Sequence, residues 1–261
     1  MSAHNSKFGT ALVTGASSGI GRAFAQRLAA DGFDLILVAR RAERLEELSR
    51  ELRELGVAAE ALVADLASDE GLKLVEQRVC GDPQISMLVN NAGFAHFGAH
   101  LDETADFAEG GLRVMVLATV RLTRAVLPNF VKAGRGTVIN VSSRAAFGAN
   151  ARLSTYSAAK AYVNRYTLGI AEEFESQGLR FLAVCPGNVE TELFERAGID
   201  PASMRGCMQP ENVVEASMAA LENGERVCVP GERRRDRMIR SLLPSGLAKK
   251  LANYLNRIAG S

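Results

Sequence analysis

Residues 10–21 read Thr10-Ala11-Leu12-Val13-Thr14-Gly15-Ala16-Ser17-Ser18-Gly19-Ile20-Gly21, and a helical pattern runs on from there through residue 30. An apolar strand therefore ends in a turn with three glycines, and the turn opens directly into a helix. Glycine permits a tight turn and lets the backbone approach a ligand without a Cβ in the way. The helix N-terminus adds unpaired N–H groups and partial positive charge. Together these make a seat for a pyrophosphate, with Gly15, Ser17, Ser18, Gly19, Ile20 and Gly21 as its candidate residues. A glycine-rich turn alone also serves plain chain reversal; the strand–turn–helix setting is what favours a dinucleotide.

Working outward, short apolar runs alternate with longer amphipathic ones. The runs at 11–14, 35–39, 58–63, 85–90, 137–142, 179–185 and 225–229 read as strands. Between them, 40–55, 68–79, 102–132, 154–176 and 211–222 read as helices, the first with Leu45, Leu48, Leu52 and Leu55 at helical spacing. Strands apolar on both sides and joined by helices indicate a parallel sheet covered on both faces. The expected fold is a single-domain, Rossmann-like, doubly wound α/β sheet of about seven strands. One dinucleotide-binding catalytic domain over 1–261 is expected, with an N-terminal tail at 1–8 and a helical extension at 232–261.

Composition narrows the function classes. Among 261 residues, Lys+Arg number 31 and Asp+Glu 30, a formal charge of +1 that removes the simplest electrostatic argument for nucleic-acid binding. Cys80, Cys185, Cys207 and Cys228 form no C-x-x-C pair, and His4, His96 and His100 are the only histidines, so no metal site is expected. The start, MSAHNSKFG, lacks the layout of a secretion signal. No apolar run is expected to reach the ~18 residues of a membrane span. A reducing, cytoplasmic setting is the resulting expectation.

Two further patterns carry chemistry. The second strand ends Val38-Ala39-Arg40-Arg41, where an NAD-preferring site would place an acid for the ribose 2′-hydroxyl. Arginine suits a phosphate instead, so NADP(H) is favoured over NAD(H); the alternative is that Arg40 and Arg41 only begin a solvated helix. Tyr156 and Lys160, four apart on a helix, project from one face, and a nearby cation would lower the phenol pKa toward usefulness in proton transfer. Ser143, thirteen residues earlier at a strand end, is placed to reach a substrate carbonyl from the other side.

The sequence resembles the short-chain dehydrogenase/reductase family over roughly Thr10 to Gly231. The resemblance rests on the T-G-x-x-x-G-x-G turn, Asp65-Leu66, Asn90-Asn91-Ala92-Gly93, Asn140-Val141-Ser142-Ser143, Tyr156 with Lys160, and Pro186-Gly187-Asn188-Val189-Glu190-Thr191, all in order. It implies an oxidoreductase interconverting a carbonyl and an alcohol by hydride transfer. Tyr156 would be proton donor or acceptor, Ser143 would steady the substrate oxygen, and Lys160 would hold the nicotinamide ribose and depress the tyrosine pKa. Asp65 and Leu66 would meet the adenine, while Asn90, Ala92 and Gly93 would run beside the adenosine ribose. Pro186, Gly187, Val189 and Thr191 would hold the carboxamide side. One departure is Met115, where the family has an asparagine that helps hold a relay water; a thioether cannot donate. An NADPH-binding sensor or scaffold with weak or lost turnover is therefore the alternative.

Phe94, Phe97 and Phe147 suggest an apolar substrate pocket, or ordinary core, and the stretch Glu192–Gln209 is expected to border the reacting carbon with them; His96 reads as a second acid–base group or a packing residue, and Arg144 as an anion contact or a solvated side chain. Between 229 and 261 lie Arg233, Arg234, Arg235, Arg237, Arg240, Lys249, Lys250 and Arg257 against Glu232 and Asp236. This basic amphipathic tail suits an anionic membrane, a cover over a long apolar substrate, or packing on its own domain or a neighbouring subunit. By the resemblance, a homodimer or homotetramer forms through the helical regions 102–132 and 154–176.

Overall fold

The structure, a computed structural model, describes residues 8–195 and 206–232. Seven strands form one parallel sheet: β1 (Thr10–Thr14), β2 (Asp34–Ala39), β3 (Ala59–Val63), β4 (Ile85–Asn90), β5 (Gly136–Val141), β6 (Leu179–Val184) and β7 (Val227–Cys228). Their spatial order is β3-β2-β1-β4-β5-β6-β7. The chain thus steps outward from β1 to β3, then returns to the other side of β1 and steps outward again. Loops leaving β1 and β4 diverge at that reversal and open a crevice at the strand C-termini, the usual ligand position of such sheets.

The helices cover both faces. On one, α1 (Gly19–Ala30), α2 (Ala42–Glu54) and α8 (Pro210–Glu222) bury Phe24, Leu28, Leu45, Leu48, Leu52, Val213 and Leu221 against Val13, Leu37, Val89 and Ile139. On the other, α3 (Asp69–Cys80), α5 (Ala118–Ala133) and α6 (Ser154–Phe174) bury Val75, Val79, Leu122, Val126, Phe130 and Ile170 against Leu12, Ile36, Leu88, Val138 and Phe181. Strand residues alternate between the two sets, as a pleated strand requires.

Differences from the sequence reading have physical causes. The segment 102–132 is not one regular helix. After a 3₁₀ turn at His100–Asp102 come α4 (Ala105–Leu112), a π-helical turn at Arg113–Leu117, and α5. By length and composition Ala105–Ala133 does reach what a membrane span needs, with a mean hydropathy of 1.4 over its most apolar window, contrary to expectation. Val114, Ala118, Leu122, Val126 and Phe130 of this segment pack in the core, while Leu112, Leu117 and Val131 are exposed. The last strand shrinks to Val227–Cys228, because it pairs only with β6 at the sheet edge. Of the expected N-terminal tail only Phe8 is described, and its ring stacks on Phe33 at 5.4 Å. The basic tail beyond Glu232 lies outside the described residues.

Two buried asparagines tie the centre of the sheet together. Asn90 Nδ2 donates to Asn140 Oδ1 (2.9 Å) and Thr123 Oγ1 (3.2 Å), and Asn140 Nδ2 donates to Thr167 Oγ1 (2.9 Å). This chain joins β4 and β5 to α5 and α6 just below the crevice. Asn140→Ala removes its middle and is expected to destabilise the fold by about 1–3 kcal/mol, measured as a lowered urea midpoint with the m-value unchanged.

Candidate functional site

The crevice is a cleft of about 2090 Å³, well above the ~300–1,000 Å³ of a typical small-ligand pocket, so it has room for a dinucleotide and a second molecule together. Its floor is the glycine-rich turn. Gly15 and Gly19 have φ of +67° and +53°, which side chains disfavour. A Cβ on Gly21 would lie 2.2 Å from the Gly15 carbonyl oxygen, so the start of α1 seats on the turn only without a side chain. Asn91 Nδ2 donates to the Thr14 carbonyl (2.9 Å) and the Gly15 carbonyl (3.3 Å). Thr14 Oγ1 in turn accepts from the backbone N–H groups of Asn91 (2.9 Å) and Ala92 (3.1 Å). The β1 and β4 loops are thereby fixed relative to each other.

Most candidate dinucleotide residues line this cleft: Gly15, Ser17, Ser18, Gly19 and Ile20, Arg40 and Arg41, Asp65 and Leu66, Ala92 and Gly93, and Pro186, Gly187, Val189 and Thr191. Two do not. Gly21 acts in packing beneath the turn, and the Asn90 side chain is turned down into the asparagine network. Asn91, next to Asn90 in the same motif, takes the position at the cleft.

Arg40 is exposed at the rim, and Arg41 reaches across the turn. Arg41 is the extended residue preceding α2, and its side chain makes no cap to that helix. Instead its Nε and Nη2 donate to Ser17 Oγ (3.2 and 2.8 Å), Nη2 also donates to Ser18 Oγ (2.9 Å), and Nη1 donates to Glu192 Oε2 (2.7 Å). Arg44 pairs with the other oxygen of Glu192. Burial works against the charged form of Glu192, yet the hydrogen bonds from Arg44 and Arg41 outweigh it and hold the carboxyl below its ordinary pKa.

Ser143, Tyr156 and Lys160 meet at the other end. Ser143 follows β5 in extended conformation, its Oγ accepts from the Ala145 N–H (3.1 Å), and it shares a hydrogen bond with the Tyr156 hydroxyl. Ser142 Oγ donates to the Lys160 carbonyl (2.7 Å), which pins α6 to the end of β5. Lys160 is buried; its Nζ donates to the Val141 carbonyl (2.7 Å) and stands 5.7 Å from the centre of the Tyr156 ring. Burial pushes the lysine down to about 8. Burial also holds the Tyr156 phenol above its ordinary value, opposed by the Ser143 hydrogen bond. The expected depression of the tyrosine is therefore not the net effect in the protein alone: desolvation of the ring outweighs the groups that favour its anion.

Met115 sits in the π-helical turn, almost wholly buried. A Cβ on Gly93 would lie 3.2 Å from Met115 Cγ and 3.5 Å from Lys160 Nζ, so thioether and ammonium converge on that glycine. The Met115 carbonyl accepts from Thr119 Oγ1 (2.9 Å). One turn beyond Lys160, Asn164 Oδ1 is buried with no hydrogen-bond partner among the described residues, and Asn164 lines the same cleft.

The remaining wall is aromatic. Phe94, Phe97 and Phe147 line the cleft, joined by Phe107 and Phe194. Phe94 packs edge-on to Phe107 at 5.0 Å, and Phe97 lies 5.4 Å from Phe194 of α7 (Glu192–Glu195). His96 is a packing residue here: its ring lies 6.2 Å from Phe107, and its Nε2 is buried with no partner among the described residues. Arg144 is exposed at the rim beside Gly187. The stretch 192–209, expected beside the substrate, does bring Glu192 and Phe194 to the cleft, with 196–205 outside the described residues; sequence reasoning missed Phe107 and did not foresee that Glu192 pairs with Arg41. That pairing had no local signal, since Arg41 is 151 residues away along the chain.

Comparison with known proteins agrees with this geometry. The chain is 32% identical to an uncharacterized oxidoreductase of Staphylococcus saprophyticus over 221 residues, covering 84% of this chain and 93% of that protein. It is 31% identical to the very-long-chain 3-oxoacyl-CoA reductase-B of Danio rerio over 188 residues, 70% of this chain and only 60% of that longer protein. A short-chain dehydrogenase from Sphingobium yanoikuyae, solved in complex with NADPH, superposes with a TM-score of 0.86 at 37% identity, covering 94% of this chain and 95% of that one. The family model described as short chain dehydrogenase matches residues 9–201. With the glycine-rich turn, the reversed sheet and the serine–tyrosine–lysine cluster in place, the chain belongs to the short-chain dehydrogenase/reductase family of oxidoreductases.

Proposed function

We propose that this protein is an NADP(H)-dependent oxidoreductase that interconverts an apolar ketone or aldehyde and its alcohol. The observation that carries the reading is the convergence of Ser143, Tyr156 and Lys160 at one end of a cleft whose other end is the Arg41-covered glycine turn. The donor set fits a phosphorylated dinucleotide. Open N–H groups at the start of α1 suit the pyrophosphate, Ser17, Ser18, Arg40 and Arg41 suit a 2′-phosphate, and Lys160 suits ribose hydroxyls. The complex of the Sphingobium relative with NADPH supports the same choice.

When bound, the dinucleotide supplies the hydride for reduction or takes it up in oxidation. In reduction, the Ser143 hydroxyl donates a hydrogen bond to the carbonyl oxygen and orients it toward Tyr156. The Tyr156 phenol, which carries its proton at neutral pH, passes it to that oxygen as the alcohol forms. The Lys160 ammonium, fixed by Val141, stabilises the phenolate left behind. Phe94, Phe97, Phe107 and Phe194 exclude water and accept an apolar substituent. Leu112, Leu117 and Tyr162, exposed on the α4–α5 segment and α6, support a homodimer or homotetramer.

The second reading, a dinucleotide-binding protein without turnover, rests on Met115 beside Lys160. One experiment separates the two. NADPH consumption is followed over a panel of apolar ketones and aldehydes, with Tyr156→Phe alongside. Turnover in the wild type that falls by about 10²-fold or more in the variant, at unchanged NADPH affinity, is the expected result. Binding without turnover in either protein favours the second reading. The pKa of Lys160 also sets a pH dependence: its ammonium is present below about 8 and lost above it, so NADPH affinity falls as pH rises through that value. Fluorescence titration across that range checks this, and Lys160→Met is expected to flatten the profile.

A further inference from the structure

All three nitrogens of the Arg41 guanidinium are engaged: Nε and Nη2 on Ser17 and Ser18, Nη1 on Glu192. Arg44, three residues further on in α2, takes the remaining oxygen of the same carboxylate. The pair of arginines at the mouth of the glycine turn thus holds an anion that the chain itself supplies. Glu192 comes from α7, directly after Thr191, whose Cγ2 would lie 2.8 Å from a Cβ on Gly19. The carboxylate therefore spans from the loop after β6 to the end of β2, across the cleft edge. Two residues on, Phe194 packs on Phe97 in the aromatic wall.

A phosphate monoester carries close to two negative charges and three acceptor oxygens; a carboxylate carries one charge and two oxygens. An arginine fork accepts either, and it favours the more highly charged partner. We propose that Glu192 is a specificity-determining residue for the dinucleotide: it is an internal counter-anion that a ribose 2′-phosphate displaces from Arg41 and Arg44. This rests on the NADP(H) reading above. A cofactor with a free 2′-hydroxyl has no charge to exchange and leaves the Glu192 pairs in place. The same exchange frees α7 from β2, so arrival of the phosphate loosens the segment that carries Phe194.

The test measures dissociation constants for NADPH and NADH by fluorescence titration in wild type, Glu192→Gln and Glu192→Asp. Removing the competing charge is expected to tighten NADPH about fivefold, the scale of one partly exposed ion pair, with NADH changed less than about twofold. Glu192→Asp retains the charge and is expected to stay within about twofold of wild type for both. Weaker NADPH binding in Glu192→Gln, or equal shifts for both dinucleotides, overturns the inference and makes Glu192 a clamp on bound cofactor or a bystander. Failure of the underlying reading looks different: the wild type then binds neither dinucleotide, or binds NADH more tightly than NADPH.

Discussion

The close seating of α1 on the Gly15 carbonyl is the constraint on which the rest of the site depends. A side chain on Gly21 would fall 2.2 Å from that oxygen, so only glycine lets the helix begin directly above the end of β1. Asn91 holds the same carbonyl from the β4 side, and Thr14 holds the Asn91 and Ala92 amides. Two loops that leave the sheet in opposite directions are thereby fastened to each other at their roots. The crevice between them keeps a defined width, and the N–H groups of the helix start stay aimed into it.

At the far end of the cleft the organising force is burial. Lys160 loses water and compensates with the Val141 carbonyl, at the cost of a pKa lowered to about 8. Tyr156 loses water too, and burial raises its phenol pKa against the opposing Ser143 hydrogen bond. For this phenol desolvation outweighs the Ser143 hydrogen bond that favours its anion. Met115 sharpens the point, because it presents an apolar surface to the lysine side of the cluster while the buried Asn164 oxygen lies one turn further along α6.

One short segment touches both ends of the cleft. Thr191 touches the glycine turn, Glu192 pairs with Arg41 and Arg44 at the start of α2, and Phe194 completes the aromatic wall. The arginine end and the aromatic end of the cleft are therefore joined through the same few residues.

Much of this was legible in the sequence. The alternation of apolar strands and amphipathic helices determined a doubly wound parallel sheet, because each strand must be buried on both faces. The glycine turn, Arg40-Arg41, Ser143, Tyr156 and Lys160 were each recognisable, since their chemistry depends on local spacing or on position at a strand end. Other features arose only in three dimensions. Asn90 and Asn91 are adjacent and identical in type, and only the pleat of β4 decides that one faces the core and the other the cleft. His96 left an acid–base role and a packing role open in the sequence, and its contact with Phe107 decides for packing. The π-helical turn at Met115, the upward shift of the Tyr156 phenol, and the carboxylate of Glu192 on Arg41 all depend on contacts between segments far apart in the chain. Local periodicity carries no record of such contacts, so the tertiary structure alone decided them.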